Sequence, residues 1–268
     1  MLLPVKTVEK VWGREDLPPP FEAPEGKRIG EIWFEPPDRL PQLLVKYLFT
    51  SDKLSVQCHP SDEQTLAQGL GQQGKEECWL VVDAEPGAVL GIGFDTTLDE
   101  DEMRAAAKDG SIEELLTWHE VQPGDFYYIP ANTVHAIGAG CSIIEIQQNS
   151  DITYRLYDYG RPRELHLEEG MKVARGEPYD MGLHQMLPPS GDVTLVDGPH
   201  FRLDRVDGVA DEGLLYAYAG PLLVIPLSGQ VNVTGGDVVS PGQCALAPDL
   251  ASVTFAPDGR CLIAAPPG

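Results

Sequence analysis

The sequence predicts a mainly β chain, with two β-barrel (jelly-roll) halves and one small helical insertion. Three observations carry that reading. The 268 residues include 28 glycines and 24 prolines, with clusters at Pro18-Pro19-Pro20 and Pro36-Pro37, a punctuation that suits many short strands and turns better than a helical bundle. Apolar runs of strand length dominate between these breaks, LLVKYLFT (43–50) being the clearest. A turn-and-strand phrase also recurs: Pro123-Gly124-Asp125 through Pro130 is echoed by Pro241-Gly242-Gln243 through Pro248, which suggests two halves of one kind.

In chain order, residues 1–40 are Pro-rich with one strand candidate, Gly30–Phe34. Strands follow at 43–50 and 54–59, the second ended by Pro60. Ser61 is placed to cap a short helix that opens with Asp62 and Glu63. Cys78–Val82 and Ala88–Phe94 read as strands. The stretch 97–120 (TLDEDEMRAAAKDG, then SIEELLTWHE) differs. Thr97 and Ser111 are expected as N-caps, acids fill each first turn, and Gly110 separates two helices. Strands resume at Phe126–Pro130, 136–137, Ser142–Gln147 and Thr153–Tyr157. A linker is expected over 183–192, around Pro188-Pro189-Ser190-Gly191. The division expected is therefore 1–185, bearing the chemistry and the helical insertion at about 97–120, and 193–268. The second copy of the repeat has no histidine or glutamate in the matching places and is expected to lack metal ligands.

Bulk properties exclude some partners. A net charge of −23 repels a nucleic-acid duplex or an anionic membrane, while leaving room for a small anion in a pocket with local cations. Five cysteines, an odd number with no CxxC pair, make no disulfide framework. Cys58, Cys78 and Cys141 lie in apolar runs as reduced core residues, which fits the cytoplasm. The N-terminus lacks a signal-peptide layout, and the apolar runs fall short of a membrane span. A monomer or weak homodimer is expected.

The residues that carry chemistry sit on strands. Gln57 and His59 alternate, so they share a face from which Cys58 turns away. Lys75, Glu77 and Trp79 share a face in the same way. A lysine and a glutamate aimed into a barrel are costly unless paired or bound to something. Taken singly, each feature has a plainer explanation: one hydrogen-bonded core histidine, or a surface Lys/Glu pair. His135 follows the Pro-Gly-Asp turn in PANTVHA (130–136) and opens a strand facing a barrel interior.

The phrase PGDxxYIPxxxxHA (123–136) resembles the cupin superfamily, in which histidine and glutamate hold a metal ion. The ordered series LSVQCHPSDE (54–63), GKEECW (74–79), PGDFYYIPANTVHAIGAG (123–140) and IEIQQNSDITYRLYDYGR (144–161) is similar to the type I mannose-6-phosphate isomerases of the short bacterial kind. VWG (11–13), GEIW (30–33) and LLVKYL (43–48) also stand where that family has similar segments. The match runs over roughly residues 5–175. It implies two cupin-like domains, and it implies a metal site of Gln57, His59, Glu77 and His135, with Gln57 as either a direct ligand or a neighbour. It marks Arg155 as the active-site arginine, Lys75 as the site lysine and Glu145 as a carboxylate near the metal. That ligand set suits one Zn²⁺ per chain, with Mn²⁺, Co²⁺ and Fe²⁺ as alternatives.

The reaction implied interconverts mannose 6-phosphate and fructose 6-phosphate through a cis-enediol. Metal and Arg155 would stabilise the oxygens, Glu145 would be the base, and Lys75 would polarise an oxygen or meet the phosphate of the hexose 6-phosphate. Glu145 and Arg155 can share a pocket only if the chain turns at 148–151. The alternative is a non-catalytic, sugar-phosphate-binding regulatory cupin, against which the presence of both Lys75 and Arg155 argues. A cupin oxygenase would want His-x-His, where this chain has Gln57. The chain departs from the family pattern in three ways: it is short, Asn132 stands where Gly or Ser is commoner and reads as a neutral turn change, and Glu76 makes a rival to Glu77. His119, His166, His184 and His200 fall outside the motifs and read as packing or surface residues.

Overall fold

The computed structural model describes residues 1–267. In chain order the first part carries β1 (Val5–Arg14), β2 (Ile29–Phe34), β3 (Leu43–Phe49), β4 (Val56–Cys58), β5 (Glu77–Ala84), β6 (Val89–Phe94), β7 (Leu116–Glu120), β8 (Asp125–Ile129), β9 (His135–Ile137), β10 (Cys141–Gln148), β11 (Tyr154–Tyr157) and β12 (His184–Met186). Its helices are α1 (Asp62–Ala67), α2 (Glu100–Asp109), α3 (Ile112–Leu115) and α4 (Leu167–Met171). The rest carries β13 (Val193–Asp197), β14 (Arg202–Asp207), α5 (Glu212–Ala217), β15 (Leu222–Ser228), β16 (Val231–Val233), β17 (Asp237–Val239), β18 (Ala245–Ala247), β19 (Val253–Phe255) and β20 (Arg260–Ala265).

A seven-stranded sheet, ordered β1-β2-β3-β10-β5-β8-β12, faces a five-stranded sheet, β11-β4-β9-β6-β7. Later strands make a second pair of sheets, β13-β14-β20-β15-β18 and β17-β16-β19. Both faces of the large sheet's central strands, such as β3 and β10, are buried, and the two-residue period of these strands separates two jobs. Val45, Tyr47 and Phe49 of β3 and Ile144 and Ile146 of β10 face a core shared with Leu203, Leu223, Ile225 and Leu262. The alternate positions, Leu48, Trp79, Val81 and Ile143, join Leu90, Ile92 and Ile137 in a separate core. The later sheet uses the same device: Leu223 and Ile225 enter the shared core, while Leu222 and Val224 pack with Val231, Val239 and Ile263. The N-terminus also reaches across, with Leu3 N donating to Cys244 O (2.9 Å) and Leu246 N to Met1 O (2.9 Å).

The repeated phrase is visible as structure. Gly124 (φ 97°) turns into β8, which pairs with β5, and Gly242 (φ 82°) turns into β18, which pairs with β15. Ser61 caps α1 in a capping box with Gln64. The helical segment differs from expectation. Asp99, not Thr97, caps α2, accepting from Glu102 N at 2.9 Å while Glu102 bonds back to Asp99 N. Gly110 ends the helix in the left-handed conformation (φ 90°). Ser111 makes no side-chain cap, and the second helix stops after one turn at Leu115. Leu116–Glu120 is a strand on the edge of β6. The backbone partner there and the packing of Trp118 over Gly91, where a Cβ would lie 3.1 Å from the ring, override local helical preference.

The shared core makes the later sheets part of the same cooperative unit. Ile225→Ala, at a fully buried position, is expected to lower unfolding free energy by about 2–5 kcal/mol in one urea transition. Separate transitions for tryptophan fluorescence, which reports only the first part because all four tryptophans lie there, and for far-UV circular dichroism would refute this.

Candidate metal centre and substrate cavity

Three loop-to-strand junctions converge. His59 leaves the end of β4, Glu77 opens β5 and His135 opens β9, which pairs with β4 in the register Gln57 to His135. All three side chains are buried. Asn132 ties the first junction to the third. Its backbone adopts a left-handed conformation (φ 73°), which asparagine tolerates better than most residues. Its N–H donates to His59 O at 2.8 Å, and Nδ2 donates to His59 O (3.2 Å) and Gln64 Oε1 (2.6 Å). Asn132 is thus a structural tie rather than a neutral turn residue.

The cluster has the polarity of a cation site. His59 Nδ1 lies 2.9 Å from Ile152 O, and His135 Nδ1 lies 2.9 Å from Thr133 O. A carbonyl can only accept, so each Nδ1 carries the proton and each Nε2 turns a lone pair inward. His135 Nε2 is 3.4 Å from Glu77 Oε1, and His59 Nε2 is 3.7 Å from Glu77 Oε2. The ligand atoms of the three residues all lie within 4.8 Å of one another. Atoms bound about 2.1 Å from one tetrahedral ion stand about 3.4 Å apart, so the spacing fits. Both Glu77 oxygens are buried without a hydrogen bond. Lys75 Nζ pairs with Oε2 at 2.6 Å and also lies 3.2 Å from His59 Nε2. Gln57 Nε2 lies 3.4 Å from His135 Nε2, which puts the amide beside the cluster.

Electrostatics follow from burial. Desolvation, and next the Lys75 ammonium, hold the His59 imidazole well below its ordinary value. Desolvation also lowers His135, although Glu77 opposes it. Burial alone would raise Glu77, but the Lys75 ammonium outweighs it and keeps the carboxyl below the usual range. The resting cluster is two neutral imidazoles and a carboxylate.

A cavity of about 390 Å³ opens beside this cluster and is lined by Gln57, Lys75, Trp79, Glu145 and Arg155. Five cations (Lys10, Lys46, Lys75, Arg155 and Arg163) face three carboxylates (Glu31, Glu145 and Asp151) in its wall, an excess of cations in the lining of a chain of net charge −23, with Glu77 and Asp158 behind it pairing Lys75 and Arg163. Glu145 is fully engaged: Lys46 Nζ reaches Oε1 at 3.1 Å and Trp79 Nε1 donates to Oε2 at 3.0 Å. Lys46 also donates to Gln147 Oε1 and sits 4.8 Å over the Trp33 ring. Arg155 Nη1 donates to Glu164 O at 2.6 Å, and Nε is enclosed without a partner. Asp158, three residues from Arg155, is held by Arg161 and Arg163 instead. The chain turns between β10 and β11, which brings Glu145 and Arg155 to one cavity. A larger cleft between the sheets of the two parts, about 530 Å³, shares no lining residue with it, and its Arg205 is occupied by Pro188 O and Gly191 O.

No family model matches the chain. The mannose-6-phosphate isomerase ManA of Bacillus subtilis is 36% identical over 214 residues, covering 76% of this chain and 67% of that protein. The chain belongs to the type I mannose-6-phosphate isomerase family. A second member, from Streptococcus mutans, is 38% identical over 202 residues, covering 72% of this chain and 63% of its own length. The chain thus matches about two thirds of the length of these relatives. The crystal structure of the Bacillus subtilis mannose 6-phosphate isomerase superposes with a TM-score of 0.80 at 24% identity, covering 98% of both chains. A zinc-bound mannose 6-phosphate isomerase superposes at 0.75 with 15% identity, covering 100% of this chain and 99% of its own. At these identities the structures speak for the fold.

Of the two adjacent acids, Glu77 lies with the histidines, while Glu76 pairs with the Tyr128 hydroxyl and lies 3.4 Å from His200. His166 proves to be more than packing. It lines the cavity, and its Nδ1 accepts from Arg155 N at 3.2 Å. Lys46 was the chief residue missed, although a lysine in the wholly buried strand LLVKYLF was a signal. Glu31 in IGEIWF is a similar case. Lys10 and Arg163 gave none, because nothing local marks which exposed-looking cation a fold will turn inward.

A pH dependence follows for the metal-free chain. His59 and His135 resist protonation when folded, whereas unfolded imidazoles titrate near pH 6.5. The unfolded state therefore binds more protons below that pH, and stability falls as pH drops. The urea midpoint of the metal-free chain is expected to decline from pH 7.5 to 5.5. A flat midpoint would show that the imidazoles titrate alike in the folded and unfolded chain, and a midpoint that rises toward pH 5.5 that they are already charged when folded. Glu77, with its lowered value, adds a further loss only below the ordinary carboxylate range.

Proposed function

We propose that this chain interconverts mannose 6-phosphate and fructose 6-phosphate, with one divalent ion, zinc, held by His59, Glu77 and His135 and with Gln57 next to it. The observation that carries the reading is the buried Glu77 carboxylate, paired with Lys75 alone and faced by the Nε2 atoms of two imidazoles, beside a cavity whose lining holds more cations than acids. Three protein ligands leave a position open, as in catalytic rather than structural sites. Family membership and the zinc-bound structural neighbour support the same choice.

The reaction moves a proton between C1 and C2 through a cis-enediol. The zinc, when bound, supplies Lewis-acid stabilisation of charge that builds on the substrate oxygens. Arg155, its guanidinium always protonated, faces the cavity to hold negative charge on an oxygen or the phosphate. Glu145 is the proposed proton acceptor: its carboxylate takes the proton from one carbon and, as the carboxylic acid, returns it to the neighbouring carbon, with the Lys46 ammonium at 3.1 Å stabilising its charged form. Lys75 holds Glu77 in place and presents an ammonium to a substrate oxygen. The excess of cations in the wall draws a hexose 6-phosphate in against the overall negative charge.

Residues 1–185 form the site-bearing domain in this reading, and 193–268 a companion without ligands, since the metal-type cluster found among the described residues lies wholly in the first part. The chain acts as a monomer or weak homodimer in this reading. Five free, buried cysteines support a reducing compartment, the cytoplasm. Among the described residues no helix is long and apolar enough to cross a membrane.

The test is a coupled assay for mannose 6-phosphate conversion on metal-stripped protein, with and without zinc. Zinc is expected to restore turnover, and Arg155→Ala to reduce kcat/KM by about 100-fold or more. Glu77→Gln is expected to abolish zinc retention through dialysis. Tight binding of mannose 6-phosphate without turnover in any metal would replace the isomerase with a non-catalytic sugar-phosphate binder. A second comparison separates the pair: Glu145→Gln is expected to lower kcat by about 10²–10⁴ with KM little changed, whereas a rise in KM alone would make Glu145 a binding group.

A further inference from the structure

We propose that His200 is a positioning residue for the metal centre, through which the second part of the chain fixes the segment bearing Lys75 and Glu77. The proposal rests on the metal-centre reading above. His200 lies in the turn between β13 and β14. Its Nδ1 is 3.4 Å from Asp62 Oδ2 and its Nε2 is 3.4 Å from Glu76 Oε1. One imidazole thus spans two acids of the first part, and its neighbour Phe201 is fully buried in the shared core, with its ring 6.1 Å from that of Tyr128. The Tyr128 hydroxyl donates to the other oxygen of Glu76.

Both acids brace residues 74–76. Asp62 Oδ1 accepts from Gly74 N (2.6 Å) and from Gln148 Nε2 (2.9 Å), and Gln148 Oε1 accepts from Glu76 N (2.9 Å). Lys75 N donates to Pro60 O at 2.9 Å. Gly74 lies so close to the neighbouring chain that a Cβ would sit 2.3 Å from Pro60 O, so the segment has no slack on that side. Lys75 and Glu77 project from this brace into the site, and Pro60 directly follows His59. A shift of Asp62 or Glu76 is therefore passed to the ligand geometry, where small displacements weaken metal binding. In this way the ligand-free part of the chain contributes to the site from outside it.

The test uses His200→Ala, His200→Gln and Glu76→Gln, singly and with His200→Ala and Glu76→Gln combined, in the full chain. His200→Ala is expected to weaken zinc, measured by competition with a chromogenic chelator, by about tenfold, and to lower kcat more than it raises KM. His200→Gln, which keeps one amide donor for either acid, recovers part of the loss. The double variant loses less than the product of the two single effects, because the residues act through one contact. Amide hydrogen exchange at 74–79 in the metal-free chain speeds up in His200→Ala, a readout that needs no metal. Unchanged exchange there, or zinc affinity equal to the parent's alongside a lowered urea midpoint, would overturn the proposal and leave His200 a docking contact. Failure of the parent chain itself to bind zinc, with exchange still faster in the variant, would instead count against the metal reading and leave the brace standing.

Discussion

The buried carboxylate of Glu77 is the constraint around which this structure is arranged. An ionised group out of water is strongly unfavourable unless its charge is met. Here the Lys75 ammonium meets Glu77 at 2.6 Å and His59 Nε2 at 3.2 Å, while the two imidazoles turn lone pairs rather than protons toward the carboxylate. Two lone pairs and a carboxylate around one point are the donor set of a cation site. Backbone carbonyls of Ile152 and Thr133 choose the tautomers, so the polarity of the centre is set by loops that touch no ligand atom.

Holding such a centre requires a rigid sheet, and the seven-stranded sheet provides it through central strands buried on both sides. Alternation along β3, β5 and β10 sends Lys46, Trp79 and Glu145 to the cavity while Tyr47, Leu80 and Ile144 pack against the later sheet. A one-residue slip in any of these strands would exchange the two sets. The apolar contact with the second part therefore stabilises more than that part: it pins the register that aims the catalytic candidates.

The same logic explains the polar tie at Asn132 and the double contact of His200. Each joins segments far apart in sequence beside a residue of the cluster, Asn132 through its amide and His200 through two ring nitrogens that each lie 3.4 Å from an acid. The excess of cations in the cavity lining of a strongly acidic chain arises likewise from placement, with Lys10, Lys46 and Arg163 gathered from distant strands and loops.

Much of this was legible in the sequence. The ordered motifs marked Gln57, His59, Lys75, Glu77, His135, Glu145 and Arg155, and the two-residue period put Gln57 with His59 and Lys75 with Glu77 on common faces. The repeated Pro-Gly turn marked the two strand systems. These signals are local: a pattern over a few residues fixes which way neighbouring side chains point. Tertiary structure alone decided that Leu116–Glu120 is a strand, because a vacant edge at β6 outweighs helical preference. It alone paired Glu145 with Lys46, 99 residues away, brought His166 to Arg155, and set His200 against the acids beside Glu77. Those choices depend on distances between segments, which no short stretch of sequence encodes and which only the closed packing of the sheets supplies.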